Sequence, residues 1–178
     1  LEANLSYLFW GELPLSQHYA TNLFGNGLVY HSEPLESATI ASGYVELEAW
    51  MTLDVPDTDF MVTLYEVRRD GSTVLLTADL MRARYRNGRE SEELVRPGQP
   101  ELYLFDGFQF FSRELAEGSR LRMVITSPNS IWLQKNYNSG GEVARESGAD
   151  ARKATITFHH GGEYQSRVKI PVKSRVVS

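Results

Sequence analysis

Val55-Pro-Asp-Thr-Asp-Phe-Met-Val-Thr-Leu-Tyr-Glu-Val-Arg-Arg-Asp-Gly-Ser72 is the stretch on which the reading of this chain turns. Pro56 opens a turn, Asp57 and Asp59 place two carboxylates in it, and residues 60–67 form a strand-like run. Asp70-Gly71 then stands before a second apolar run at residues 74–76. Asp-Gly between two such runs signals a hairpin, because glycine accepts the positive φ that the turn needs. On an extended backbone residues two apart face the same side, so the two carboxylates are expected to point together. Further on comes Arg82-Ala-Arg-Tyr-Arg86. Read as a strand, it puts three arginines on one face and Met81, Ala83 and Tyr85 on the other.

The flanking segments carry the same period. In residues 44–53, Val45, Leu47, Ala49, Met51 and Leu53 alternate with Tyr44, Glu46, Glu48, Trp50 and Thr52, the pattern of a half-buried strand. Residues 96–100 form a turn and residues 102–105 a short strand, and Glu117-Gly-Ser119 punctuates the chain again. In residues 120–126, Leu121, Met123 and Ile125 alternate with Arg122, Val124 and Thr126. Residues 127–153 make a long polar loop, a length often associated with function. Two closing strands are expected at residues 154–159 and 167–173, the second with Val168, Ile170 and Val172 on one face. No apolar period of 3.6 persists for three turns, so the chain is expected to be all-β, a sandwich arranged as a jelly roll. Residues 1–27 are aromatic-rich but broken by glycine and proline, an arm or extra strands ahead of a domain at 28–178.

Composition narrows the functions. A chain of 178 residues suits one domain with a sizeable core. A net charge of -5 gives no general attraction to nucleic acid, and no apolar run is long enough to cross a bilayer as a helix. The sequence has no cysteine, which excludes disulfides, thiol catalysis and Cys-based zinc sites and leaves the compartment open. It begins at Leu1 without a methionine and without a signal-peptide layout, so a processed chain or a piece of a longer protein is expected.

Candidate chemistry is sparse. There is no Gly-x-Ser-x-Gly, and the histidines are His18, His31, His159 and His160. Adjacent His159 and His160 on a strand would face opposite sides, which disfavours joint metal binding. Calcium takes roughly six to eight oxygens, and Asp57 and Asp59 supply two side chains. Pairing of Asp57 and Asp59 with Arg82, Arg84 and Arg86 is therefore the favoured reading, as an internal charge network or as a face toward a neighbouring domain. No metal or cofactor is expected. Asn129, Trp132, Asn136, Tyr137 and Asn138 gather aromatic and amide groups in the long loop. Such groups suit a cleft or a sugar site, or a loop folded back on the sandwich.

Five ordered motifs also resemble a known family. They are Pro56-Asp-Thr-Asp-Phe60 with Leu64-Tyr-Glu-Val67 and Asp70-Gly71; Leu80-Met-Arg-Ala-Arg-Tyr-Arg86; Gly118-Ser-Arg-Leu-Arg122; Ser127-Pro-Asn-Ser-Ile-Trp-Leu-Gln-Lys-Asn-Tyr-Asn-Ser-Gly140; and Ser166-Arg-Val-Lys-Ile-Pro-Val172. Together they resemble the C-terminal domain of X-prolyl dipeptidyl-peptidases and of related cocaine-esterase-like and acylase-like serine hydrolases. Ser130 and Trp132 depart from the family's Phe-Pro region, and Gln165 stands where proline is common. The resemblance implies a galactose-binding-like jelly roll appended to an α/β-hydrolase domain that holds the Ser-Asp-His triad. It implies a chain that is not itself an enzyme: it packs on the catalytic domain, shapes the substrate cleft and contributes to homo-oligomer contacts. An independent carbohydrate-binding module is the alternative.

Overall fold

A computed structural model describes residues 27–128 and 133–174. Residues 1–26, Asn129 and Trp132 lie outside the described residues. The strands in chain order are β1 (Gly27–His31), β2 (Thr39–Gly43), β3 (Glu46–Leu53), β4 (Asp59–Val67), β5 (Thr73–Arg82), β6 (Pro100–Phe105), β7 (Phe111–Leu115), β8 (Arg120–Thr126), β9 (Ile156–Phe158), β10 (His160–Gly161), β11 (Tyr164–Gln165), β12 (Arg167–Lys169) and β13 (Val172–Ser174). The described residues contain no α-helix, only three single 3-10 turns.

All pairing is antiparallel. One sheet runs β1-β8-β4-β5, a second β12-β3-β6 with β9 also on β3, a third β13-β2-β7, and β10-β11 forms a hairpin. The alternating row of β3 explains the layering. Leu47, Ala49, Met51 and Leu53 are all buried, as is Val45 just before the strand, while Glu48, Trp50 and Thr52 between them are only half-buried. The buried row meets Phe60, Val62 and Leu64 of β4 and Ile125 of β8, with Tyr103 and Phe105 from β6 and Phe111 and Leu115 from β7. The Phe60 ring meets Tyr103 edge-on at 5.7 Å between centroids and Phe105 at 6.3 Å, which locks the two layers of this all-β sandwich together.

The hairpin joining β4 to β5 closes where Asp70-Gly71 stands. Gly71 has φ 84°, its N–H donates to the Arg68 carbonyl at 2.9 Å, and Arg68 N–H donates to the Ser72 carbonyl at 2.9 Å. Two expectations are corrected. Arg82-Ala-Arg-Tyr-Arg86 is not a strand: β5 ends at Arg82 and Ala83–Tyr85 form a 3-10 turn, anchored by Ala83 N–H on the Thr58 carbonyl at 2.8 Å. Residues 167–173 are not one strand either. Pro171 lacks a backbone N–H, and around it the chain changes sheets, β12 pairing with β3 and β13 with β2. Ile170 packs against the core, whereas Val168 and Val172 are exposed.

Candidate functional site

The turn before β4 and the turn after β5 lie side by side because Asp59 and Arg82 are paired residues at the end of the β4-β5 ladder. That register makes the Arg82-Asp59 fork two-pronged, Nε to Oδ1 at 2.8 Å and Nη2 to Oδ2 at 3.0 Å. Asp59 holds the Arg82 guanidinium above its ordinary pKa. The 3-10 turn carries Arg84 around to Asp57, which is fully buried. Asp57 accepts the Arg84 backbone N–H at 2.9 Å and Nε at 2.8 Å. Burial opposes the charge on Arg84, but Asp57, together with Glu92 at 3.1 Å, outweighs it and the pKa is raised. The remaining Arg84 nitrogen donates to the Gly141 carbonyl at 2.8 Å, tying the long loop to the cluster.

Asn136 supplies the bridge. Its amide nitrogen donates to Asp57 Oδ2 at 2.7 Å and to Asp59 Oδ1 at 2.8 Å, so two carboxylates converge on one donor between two arginines. The other end of the Asn136 amide accepts Asn138 N–H at 2.8 Å, and Asn138, with φ 63°, donates its side chain to the Arg152 carbonyl at 2.8 Å. Tyr137 lies beneath Lys135, 5.2 Å from the ring centroid, and its N–H donates to Glu146 at 3.3 Å. Glu146 also takes hydrogen bonds from Ser139 and from Gly141 N–H.

Arg86 does not join the aspartates. Beyond the 3-10 turn it points to β6, with Nε 2.5 Å from Glu101 and Nη1 donating to the Glu93 carbonyl at 2.5 Å. Tyr103, two residues along β6, is buried and its phenol is pushed up by desolvation. Glu92, Glu93 and Gln134, the last 3.2 Å from Arg82, complete the cluster and were not singled out from the sequence. The short Glu-rich run that follows Arg86 was the available signal for the two glutamates. A second buried carboxylate was also missed: Glu66 takes bonds from Arg113 at 2.8 Å, Ala116 N–H at 3.1 Å and Ser119 at 2.9 Å. Its signal was an acid continuing the buried row Phe60, Val62, Leu64. His159 meets Thr52 at 2.8 Å and His160 meets Tyr30 at 3.0 Å, each with its own local partner. Among the described residues no three His, Asp or Glu side chains group as a metal site.

The arrangement is an all-β sandwich with an arginine-carboxylate cluster pinning a long loop against one sheet. The chain belongs to the family of X-Pro dipeptidyl-peptidase C-terminal non-catalytic domains, which matches residues 6–169. Cocaine esterase from Rhodococcus sp. (strain MB1 Bresler) is 28% identical over 148 residues, a match that spans 83% of this chain and 26% of the esterase. The fold matches part of an aminopeptidase from a marine sediment Thaumarchaeota archaeon with a TM-score of 0.82 at 20% identity, covering 91% of this chain and 28% of that one. It also matches an alpha-amino acid ester hydrolase with a TM-score of 0.82 at 17% identity, covering 94% and 28%.

Proposed function

We propose that this chain serves as the accessory domain of a serine hydrolase acting on peptide, ester or amide bonds, packing on an α/β-hydrolase domain and walling its substrate cleft. The observation that carries this reading is the family match over residues 6–169 to a domain described as non-catalytic. The surface is suited to such a partner: Tyr44 and Phe110 stand exposed as an edge-on pair 5.6 Å apart, and Leu102 and Leu104 are exposed on the outer side of β6. The cluster around Asp57 contributes by fixing the 133–141 loop, whose Gly141 and Asn136 it holds. The test is to express the hydrolase domain encoded upstream separately and mix it with this chain. Association, with altered KM of the hydrolase toward its substrates, is expected. Absence of any upstream α/β-hydrolase domain, or no association, would overturn the proposal.

A further inference from the structure

Three asparagines lie among the described residues, and they differ in how firmly their amides are held. Asn136 is half-buried, its amide nitrogen is fixed by Asp57 and Asp59, and the backbone N–H after it, that of Tyr137, donates to Glu146 at 3.3 Å. Asn138 is half-buried as well and donates its amide to the Arg152 carbonyl at 2.8 Å. Asn87 is exposed, and of the three it alone is followed by glycine. It stands just past the 3-10 turn Ala83–Tyr85, at the start of a run, residues 87–94, that is exposed throughout. Exposed loop tips of this kind open locally at little cost.

The bonds that hold this dipeptide are weak. Gly88 N–H donates to the Tyr85 carbonyl at 3.2 Å, the long end of the ordinary range. The Asn87 amide donates to Glu93 Oε2 at 2.6 Å, a bond between two exposed side chains that water can replace. Gly88 has φ 152°, and a Cβ there would meet nothing within 4 Å. Without a side chain at 88, the backbone can swing its nitrogen toward the Asn87 side chain. The chemistry needs only that approach and water. The Gly88 nitrogen bonds to Cγ, the side-chain carbonyl carbon of Asn87, and closes a succinimide ring. Its proton passes to solvent, the bond from Cγ to Nδ2 breaks, and the amide nitrogen leaves as ammonia. Water then adds to either carbonyl of the ring and opens it, leaving aspartate or isoaspartate at position 87. No electron is gained or lost.

We propose that Asn87-Gly88 is a site of spontaneous deamidation in the folded chain. The change adds one negative charge to a chain whose net charge is already -5, on the rim of the open groove that Asn87, Gly88 and Arg89 line together with β5. It also sets a carboxylate against Glu93 where an amide had donated, so the side-chain tie across the loop is lost, while the Glu93 carbonyl keeps its bond from Arg86. The test is ageing of the full chain in mildly alkaline buffer, with and without urea, followed by digestion after glutamate and mass spectrometry. The fragment that ends at Glu90 separates Asn87 from Asn26-Gly27, the other Asn-Gly of the sequence. In the folded chain that fragment is expected to exchange amide for acid at a rate within about tenfold of the rate in urea, and to split into aspartate and isoaspartate forms. Fragments carrying Asn136 and Asn138 should stay unchanged unless urea is present. Asn87→Gln, whose side chain would have to close a larger ring, should abolish the change in the fragment ending at Glu90. An Asn87 that stays intact in the folded chain while converting in urea overturns the proposal, and so does equal conversion at Asn136 and Asn138 in the folded chain.

Discussion

Two carboxylates, buried Glu66 and half-buried Asp79, respond to acid in opposite directions. At Glu66 burial alone would raise the pKa, but hydrogen bonds from Arg113, Ala116 N–H and Ser119 overcome it and the value is lowered. Its stabilisation is therefore complete above the ordinary carboxylate range and is lost as pH falls through the depressed folded value. Glu66→Gln should cost about 3 kcal/mol near neutral pH, since it leaves Arg113 beside a neutral amide, and the gap from wild type should narrow in acid. At Asp79 burial is the larger effect, and N–H donors from Gly107 at 3.0 Å and Leu80 at 2.7 Å do not cancel it, so the pKa is raised. The sign reverses: stability falls as pH rises through the window between the ordinary value, about 4, and the raised folded value. Urea unfolding across pH should show wild type losing ground to Asp79→Asn as pH rises. A gap that widens toward acid would contradict the assignment.

At the scale of elements, the crossing of β2 and the β12-β13 break depends on Gly43. Its φ is 139°, and a Cβ there would lie 2.9 Å from the Pro171 ring. Gly88 has a similar φ of 152° with nothing within 4 Å. Both Gly→Ala changes carry backbone strain of about 1–3 kcal/mol, but only Gly43→Ala must also move Pro171, so its urea midpoint should fall further. Equal losses would show that the ring contact is immaterial. Strands of one consistent alternation were legible: β3, the β4-β5 hairpin with its Asp-Gly turn, and β8. Strand β7 was not, because inward Phe111 and Leu115 flank Arg113, whose role as the partner of Glu66 is set 47 residues away. Strand β2 hides for another reason: its one core side chain, Ala41, is small. The Val168, Ile170, Val172 period misled because a period of two says nothing of which sheet receives each half. In the charge cluster, Asp57 and Asp59 with Arg82 and Arg84 follow from local spacing and the hairpin. Arg86 does not, since one 3-10 turn redirects it, and the Asn136 bridge spans 79 residues from Asp57.

If the whole molecule packs on a hydrolase domain as proposed, one of its faces must receive that domain. The outer side of the β12-β3-β6 sheet presents Leu102 opposite Trp50 and Leu104 opposite Glu48, with Trp50 backed by Tyr164 at 5.0 Å between centroids. Glu48 and Glu46 are already paired with Arg167 and Lys169, so this edge of the face is electrically quiet. A flat strip of apolar and aromatic groups beside satisfied charges is the composition of an interface centre rather than of a ligand pocket. Leu102→Ser with Leu104→Ser should cost the chain's own stability about 1–3 kcal/mol, because each side chain, 39% and 41% exposed, still has part of its surface covered. The same double change should weaken association with the separately expressed hydrolase domain by tenfold or more, a loss of about 1.4 kcal/mol or greater. Ile40→Ser, an exposed apolar position on β2 of the other small sheet, provides the comparison. If titration calorimetry shows Ile40→Ser weakening the complex and the leucine pair leaving it intact, the docking face belongs to the β13-β2-β7 sheet instead.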